Sequence, residues 1–306
     1  MDLKQLEYFV RVAEMGSFTR ASISLDVAQP ALSRQIRLLE VELRQNLLTR
    51  NGRGAVPTEA GKLLLEHGRG ILHQVQLTRE EMGAARGALA GRVSIGLPPS
   101  LSKLITVSLA KAFRQHLPQS QLTLTEGFSL LMYEGLRMGN LDMAVLYNPD
   151  TSVDLEMTTL HEDELCLVSP AGPNNKPGKG QADTVSLKEI ADLSFILPSR
   201  PNAFRVLIES ELMNIGKRPT IALEVDGLNA ILNLVKEGMG HAVLPSYTLS
   251  NFEDASPFTV KRIHTPTIKS KLMLVWSARR PTTQTHKKAM ELIAQVVAGQ
   301  INAAQR

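Results

Sequence analysis

A single cysteine, Cys166, is all the thiol chemistry available to this chain of 306 residues. One thiol closes no internal disulfide and builds no thiolate cluster. Disulfide scaffolds and cysteine-based zinc sites are therefore excluded, and a reducing compartment fits. No stretch approaches the ~18–20 uncharged apolar residues that a membrane-spanning helix needs. The opening Met1-Asp2-Leu3-Lys4-Gln5 lacks the basic-then-apolar order of a secretory signal. A soluble, cytoplasmic protein with no membrane partner is the expectation. Neither sign of charge dominates, because 34 Lys/Arg against 30 Asp/Glu leave a net charge of +4. That balance only hints at nucleic acid, since scattered lysines give the same figure. Glycine (21) and proline (16) are at ordinary levels, which removes collagen-like and low-complexity classes.

Catalytic signatures are missing too. The seven histidines form no H-x-H or H-E-x-x-H pair, so no metal site is expected. No G-x-S-x-G elbow presents a serine nucleophile. The loop from Gly172 to Gly180 has five residues, rather than four, before Gly178-Lys179, and Gly180 follows where a phosphate loop needs Ser or Thr. Glu162-Asp163-Glu164 reads as a solvated acidic face, His241 as a core or edge histidine, and Cys166 as a buried small hydrophobe. The pattern asks for no catalysis and no cofactor.

What is present is 43% apolar residues and a length that suits two or three domains at ~100–200 residues each. Residues 1–58 read as short helices with a basic finish. Leu3, Leu6, Phe9, Val10 and Ala13 recur at helical spacing, and Gly16-Ser17 ends that run. Ser17 suits the N-cap of a second helix. Gln29-Pro30 opens a third, with Pro30 well placed in a first turn, where its missing N–H costs nothing. Ala31, Leu32, Ile36, Leu39 and Leu43 form its buried stripe and leave Gln29, Ser33, Arg34 and Arg37 outside. Leu47 to Thr58 looks like a hairpin with Asn51-Gly52 as its tight turn.

This is a winged helix-turn-helix pattern. Gln29 offers a donor and an acceptor to adenine, and Arg34 can fork onto guanine. Ser33 and Thr19 suit phosphate or mixed contacts, and Ser17, Arg20, Pro30 and Arg37 belong to the same expected DNA-binding set. Arg50 and Arg53 on the wing suit the minor groove or phosphate. A solvated face on a small helical bundle is the alternative.

Residues 59–90 read as one long linker helix. Leu64, Ile71, Val75, Met82 and Leu89 are spaced by 7, 4, 7 and 7, an apolar seam for a second copy of the chain or for the helix's own domain. Residues 91–306 alternate strands and helices in a rhythm that argues a parallel α/β sheet in two subdomains. The expected subdomains are residues 91–161 with 267–306, and residues 162–266.

Taken in order, Leu6-Glu7-Tyr8-Phe9, Gly16-Ser17-Phe18-Thr19-Arg20-Ala21, Gln29-Pro30-Ala31-Leu32-Ser33-Arg34-Gln35-Ile36 and Pro57-Thr58-Glu59-Ala60-Gly61 resemble the LysR-type transcriptional regulators. Ser22 stands where that family usually has a second alanine. Gly-Asn-Leu-Asp-Met-Ala at 139–144 and Gly-Met-Gly-His-Ala-Val-Leu-Pro at 238–245 resemble motifs of the family's effector domain. Within the family the nitrogen-assimilation-control type is most similar. The resemblance implies a two-lobed α/β domain similar to periplasmic solute-binding proteins, promoter DNA as partner, dimers through the linker helix that pair into a tetramer, and contact with RNA polymerase. It also implies an effector pocket between the lobes. Ser100 and Ser129 open helices there. Tyr147, Ser199, Arg200 and Asn202 follow strands, at the ends where crossover folds hold ligands. Two serines at helix starts and Arg200 as a counter-charge would suit a small anionic metabolite.

Overall fold

A computed structural model of the chain describes residues 1–51, 54–84, 89–171, 184–249 and 257–304. Two compact units divide between Ala88 and Leu89.

The first unit opens with α1 (Leu3–Met15), whose Asp2 cap accepts from the Gln5 N–H while the Gln5 side chain accepts from Asp2. It stops at Gly16, which takes the left-handed conformation at φ 61° that glycine tolerates. Ser17 then caps α2 (Phe18–Ser24) through the Arg20 N–H at 3.3 Å. Next comes α3 (Gln29–Leu43), with Pro30 in its first turn. The hairpin of β1 (Leu48–Asn51) and β2 (Gly54–Pro57) pairs Leu48 with Pro57 and Asn51 with Gly54. Phe9, Val12, Ala21, Leu32, Ile36 and Leu39 make the core of the three helices.

The long helix α4 spans Glu59–Ala84. Gly68 lets it approach α1 closely, since a Cβ there would lie 2.9 Å from Leu6 Cδ1. The expected seam through residue 89 is corrected in two places. Leu64 packs, half-buried, on the three-helix core. Leu89 falls outside the helix, just before the next strand. Ile71 and Met82 remain exposed, at 39% and 72%.

The second unit is two-lobed. Its first lobe contains β3 (Ala90–Leu97), α5 (Pro99–His116), β4 (Gln119–Glu126), α6 (Ser129–Met138) and β5 (Met143–Tyr147). Then β6 (Leu155–Pro170) leads into the second lobe of β7 (Thr184–Ser186), α7 (Leu187–Ile190), β8 (Ser194–Leu197), α8 (Ala203–Asn214), β9 (Thr220–Glu224), α9 (Leu228–Lys236), β10 (Ala242–Pro245) and β11 (Phe258–His264). The chain returns to the first lobe as β12 (Lys269–Ser277) and α10 (Gln284–Ala304).

Strands β3, β4 and β5 are parallel, as the βαβ rhythm requires. The expectation of a wholly parallel sheet is corrected beyond them. β12 runs antiparallel to β5 and β6, and β10 and β11 run antiparallel to β6. The reason lies in β6. Its first ten residues pair with β12 and its last six with β10 and β11, so one strand of 16 residues serves both lobes. The expected boundary after residue 161 thus falls inside an unbroken strand, whereas that after residue 266 falls in the turn between β11 and β12. The motif at 139–144 is a structural pin, because the Asp142 carboxylate accepts the Ser94 N–H at 2.7 Å and ties the start of β5 to β3.

Candidate functional site

The outer face of α3 follows from its inner one. Leu32, Ile36 and Leu39 are buried, so the helical period turns Gln29, Pro30, Arg34 and Arg37 outward, where all four are exposed. Ser33 lies on the edge of the same face. Thr19 Oγ1 lies 3.3 Å from Gln29 Oε1, bringing α2 and the start of α3 together. Two residues expected to contact DNA also have local partners. The Ser17 hydroxyl is occupied as the α2 cap, and the Arg20 guanidinium donates to the Met15 carbonyl oxygen. Arg53 lies outside the described residues, as does the Arg50 side chain.

A second site lies between the lobes. Its cavity, ≈ 50 Å³, is lined by Ser100, Ser129, Tyr147 and Asn202, four of the six residues expected there. Each lies where a helix begins or a strand ends. The Ser100 hydroxyl lies 2.8 Å from the Tyr147 hydroxyl, which in turn contacts the hydroxyl of Tyr247 in the turn after β10. Burial pushes both phenols well above their ordinary range, so the chain of hydroxyls stays protonated. The Phe204 ring of α8 packs on Tyr147, with centroids 4.5 Å apart and planes tilted by 52°.

Ser199 and Arg200 do not line this cavity. The Ser199 N–H donates to Asp226 Oδ1 at 2.8 Å, and Arg200 Nη2 pairs with Glu209 at 2.6 Å. The expected counter-charge is thus drawn away by a carboxylate on α8. Asn202 acts as the α8 N-cap, its Oδ1 accepting from Phe204 and Arg205 N–H at 3.0 and 3.3 Å.

Sequence reading missed Tyr247, Phe204, Arg205 and Asp163. Arg205 is buried and bonds Glu209, Glu224 and the Pro198 carbonyl, fixing the strand end that leads into α8. Asp163 corrects the reading of Glu162-Asp163-Glu164 as a wholly solvated face. Strand alternation turns its side chain inward, 5% exposed, while Glu162 pairs outside with Lys269 at 3.0 Å. That inversion was available from the two-residue period, had β6 been recognised as a strand. Cys166 is buried, and burial pushes its thiol up to about 12. His241 Nδ1 lies 2.8 Å from the Ser169 hydroxyl, and desolvation lowers its basicity.

Residues 3–62 match the bacterial regulatory helix-turn-helix protein, lysR family, and residues 86–298 match the LysR substrate binding domain. The nitrogen assimilation regulatory protein nac of Klebsiella aerogenes is 33% identical over 298 residues, covering 97% of this chain and 95% of that protein. Its counterpart in Escherichia coli K12 is 32% identical, covering 98% and 97%. Among solved structures, full-length OxyR from Pseudomonas aeruginosa shares the fold at a TM-score of 0.76 with 23% identity, over 97% of this chain and 94% of that one. Full-length CbnR in complex with its target DNA shares it at 0.71 with 23% identity, over 97% and 100%.

Proposed function

The chain belongs to the LysR-type transcriptional regulators, DNA-binding proteins with a substrate-binding domain for a small-molecule effector, and from that premise we propose how its parts divide the work. The observation that carries the proposal is the outer face of α3, polar and cationic over a buried apolar stripe. Gln29 and Arg34 read base edges in the major groove, while Ser33, Arg37 and Thr19 fix register against the backbone. Arg50 and Arg53 on the wing supply sequence-independent, salt-sensitive affinity.

Oligomers hold two such heads on a dyad site. The dimer contact is assigned to the outer side of α4 around Ile71 and Met82, and two dimers form the tetramer. The cleft lined by Ser100, Ser129, Tyr147 and Asn202 is the effector site. The protein works in the cytoplasm on double-stranded promoter DNA, hands its signal to RNA polymerase, and does not act as an enzyme.

A mobility shift with DNA from upstream of its own reading frame tests this, with an unrelated duplex as competitor. The expected result is a complex that resists the competitor. Equal affinity for both duplexes overturns the assignment of α3.

A further inference from the structure

Resting on the reading of the cleft as the effector site, we infer that its ligand is uncharged, a compact apolar body carrying one carbonyl or hydroxyl oxygen, and not a carboxylate. The walls are apolar, with Pro98, Phe128, Leu197, Leu228, Ile231 and Leu244 prominent, and no described lining residue is charged. Arg200 and Arg205, beside the Pro198 and Asn202 wall, are engaged elsewhere, Arg200 on Glu209 and Arg205 on Glu209, Glu224 and the Pro198 carbonyl. A carboxyl group lies behind the hydroxyl chain. Asp163, buried against Ser246, acts on both Tyr147 and Tyr247. A carboxylate placed there meets no charged side chain on the described walls, and burying an unpaired ion costs far more than burying a hydrogen-bonded neutral oxygen.

Helix starts would be the other means of holding an anion, and at two of them some of the amides are already engaged. At α5, Pro99 has no N–H, and the Leu101 and Ser102 amides donate to the Pro98 carbonyl. At α8 the Phe204 and Arg205 amides donate to Asn202. α6 and α9 begin on the same walls, and their positive poles attract negative charge, whether the partial charge of a carbonyl or hydroxyl oxygen or a full one. A neutral oxygen satisfies these poles and bonds the Ser100–Tyr147–Tyr247 chain without bringing a charge. Size follows from the cavity, whose ≈ 50 Å³ holds about one or two waters. The ligand is therefore compact, and the Phe204 ring packed on Tyr147 is one of its walls.

Thermal denaturation of the full chain at neutral pH tests this with probes matched in skeleton. These are phenol against benzoate, cyclohexanol against cyclohexanecarboxylate, and isobutyramide against isobutyrate, each pair at equal concentration. The expected result is a rise in Tm of about 2 °C or more with at least one neutral member, none with its carboxylate, and loss of the rise in Ser100→Ala. A carboxylate that raises Tm through Ser100 overturns the ligand class and keeps the cleft as the site. A neutral rise that persists in both Ser100→Ala and Leu228→Trp places binding elsewhere and overturns both. No rise with any probe overturns the class. A mobility shift on the upstream DNA, run in the same buffer, separates these outcomes from failure of the regulator reading itself, which would show as lost DNA binding.

Discussion

Asp163 accepts both the backbone N–H and the hydroxyl of Ser246, at 3.0 and 2.8 Å, across 83 residues of chain. The pair joins the middle of β6, where the strand passes from one lobe to the other, to the turn that carries Tyr247. The hydroxyl chain of the cleft and the crossing strand therefore share one anchor.

Burial raises the Asp163 pKa above its ordinary value, the Ser246 bonds opposing this only in part. Between the unfolded and folded values, the folded protein binds more protons than the unfolded one. The contribution of this group to stability is therefore complete at acid pH and declines as pH rises through that window. Measured as a Tm difference from Asp163→Asn over pH ~4–7, the parent's relative stability should improve toward the acid end. A difference that stays constant with pH contradicts the assignment.

Tyr247 separates hydroxyl from ring. Tyr247→Phe removes one bond of the chain while Ser100 and Tyr147 keep theirs, at an expected cost of about 1 kcal/mol. Tyr247→Ala leaves a cavity in the first lobe's core, where the ring is 1% exposed, and should cost roughly 3–5 kcal/mol. Urea denaturation of both variants checks the ratio. Equal losses would mean that the hydroxyl, not the packed ring, is what the fold depends on.

Arg205→Met should destabilise the second lobe by roughly 1.5–3 kcal/mol, because the buried Pro198 carbonyl loses its donor and Glu209 keeps only Arg200. Arg200→Met, at a guanidinium 67% exposed, should change stability far less. The comparison of the two urea midpoints decides which arginine holds the strand end in place.

Arg34→Ala should weaken specific DNA binding by roughly 1–3 kcal/mol and relax preference at one base position. Arg53→Ala should instead flatten the salt dependence by about one phosphate contact and leave preference alone. Titrations at several salt concentrations distinguish the two. Unchanged preference in Arg34→Ala moves that residue from the bases to the backbone.

The sequence by itself determined the helical head, because each signal there is local. Gly16-Ser17 ends one helix and caps the next, Pro30 opens the third, and Leu32, Ile36 and Leu39 set which face is buried and therefore which is polar. The βαβ order of the first lobe and the positions of Ser100, Ser129 and Tyr147 at element ends were legible for the same reason. Tertiary structure decided the rest. Strand direction in β12, β10 and β11 depends on their pairing with β6, whose partners lie far along the chain, Ser277 facing Leu155 at the extreme. Whether Arg200 faces the cleft was settled by Glu209, one side chain that competes for its charge. The bond of Asp163 to Ser246 and the entry of Tyr247 into the other lobe's core are long-range packing events that no local period encodes. Caps, turns and helical stripes are fixed by neighbours within a few residues, whereas the charge and volume of a cleft are fixed by which distant side chains meet there.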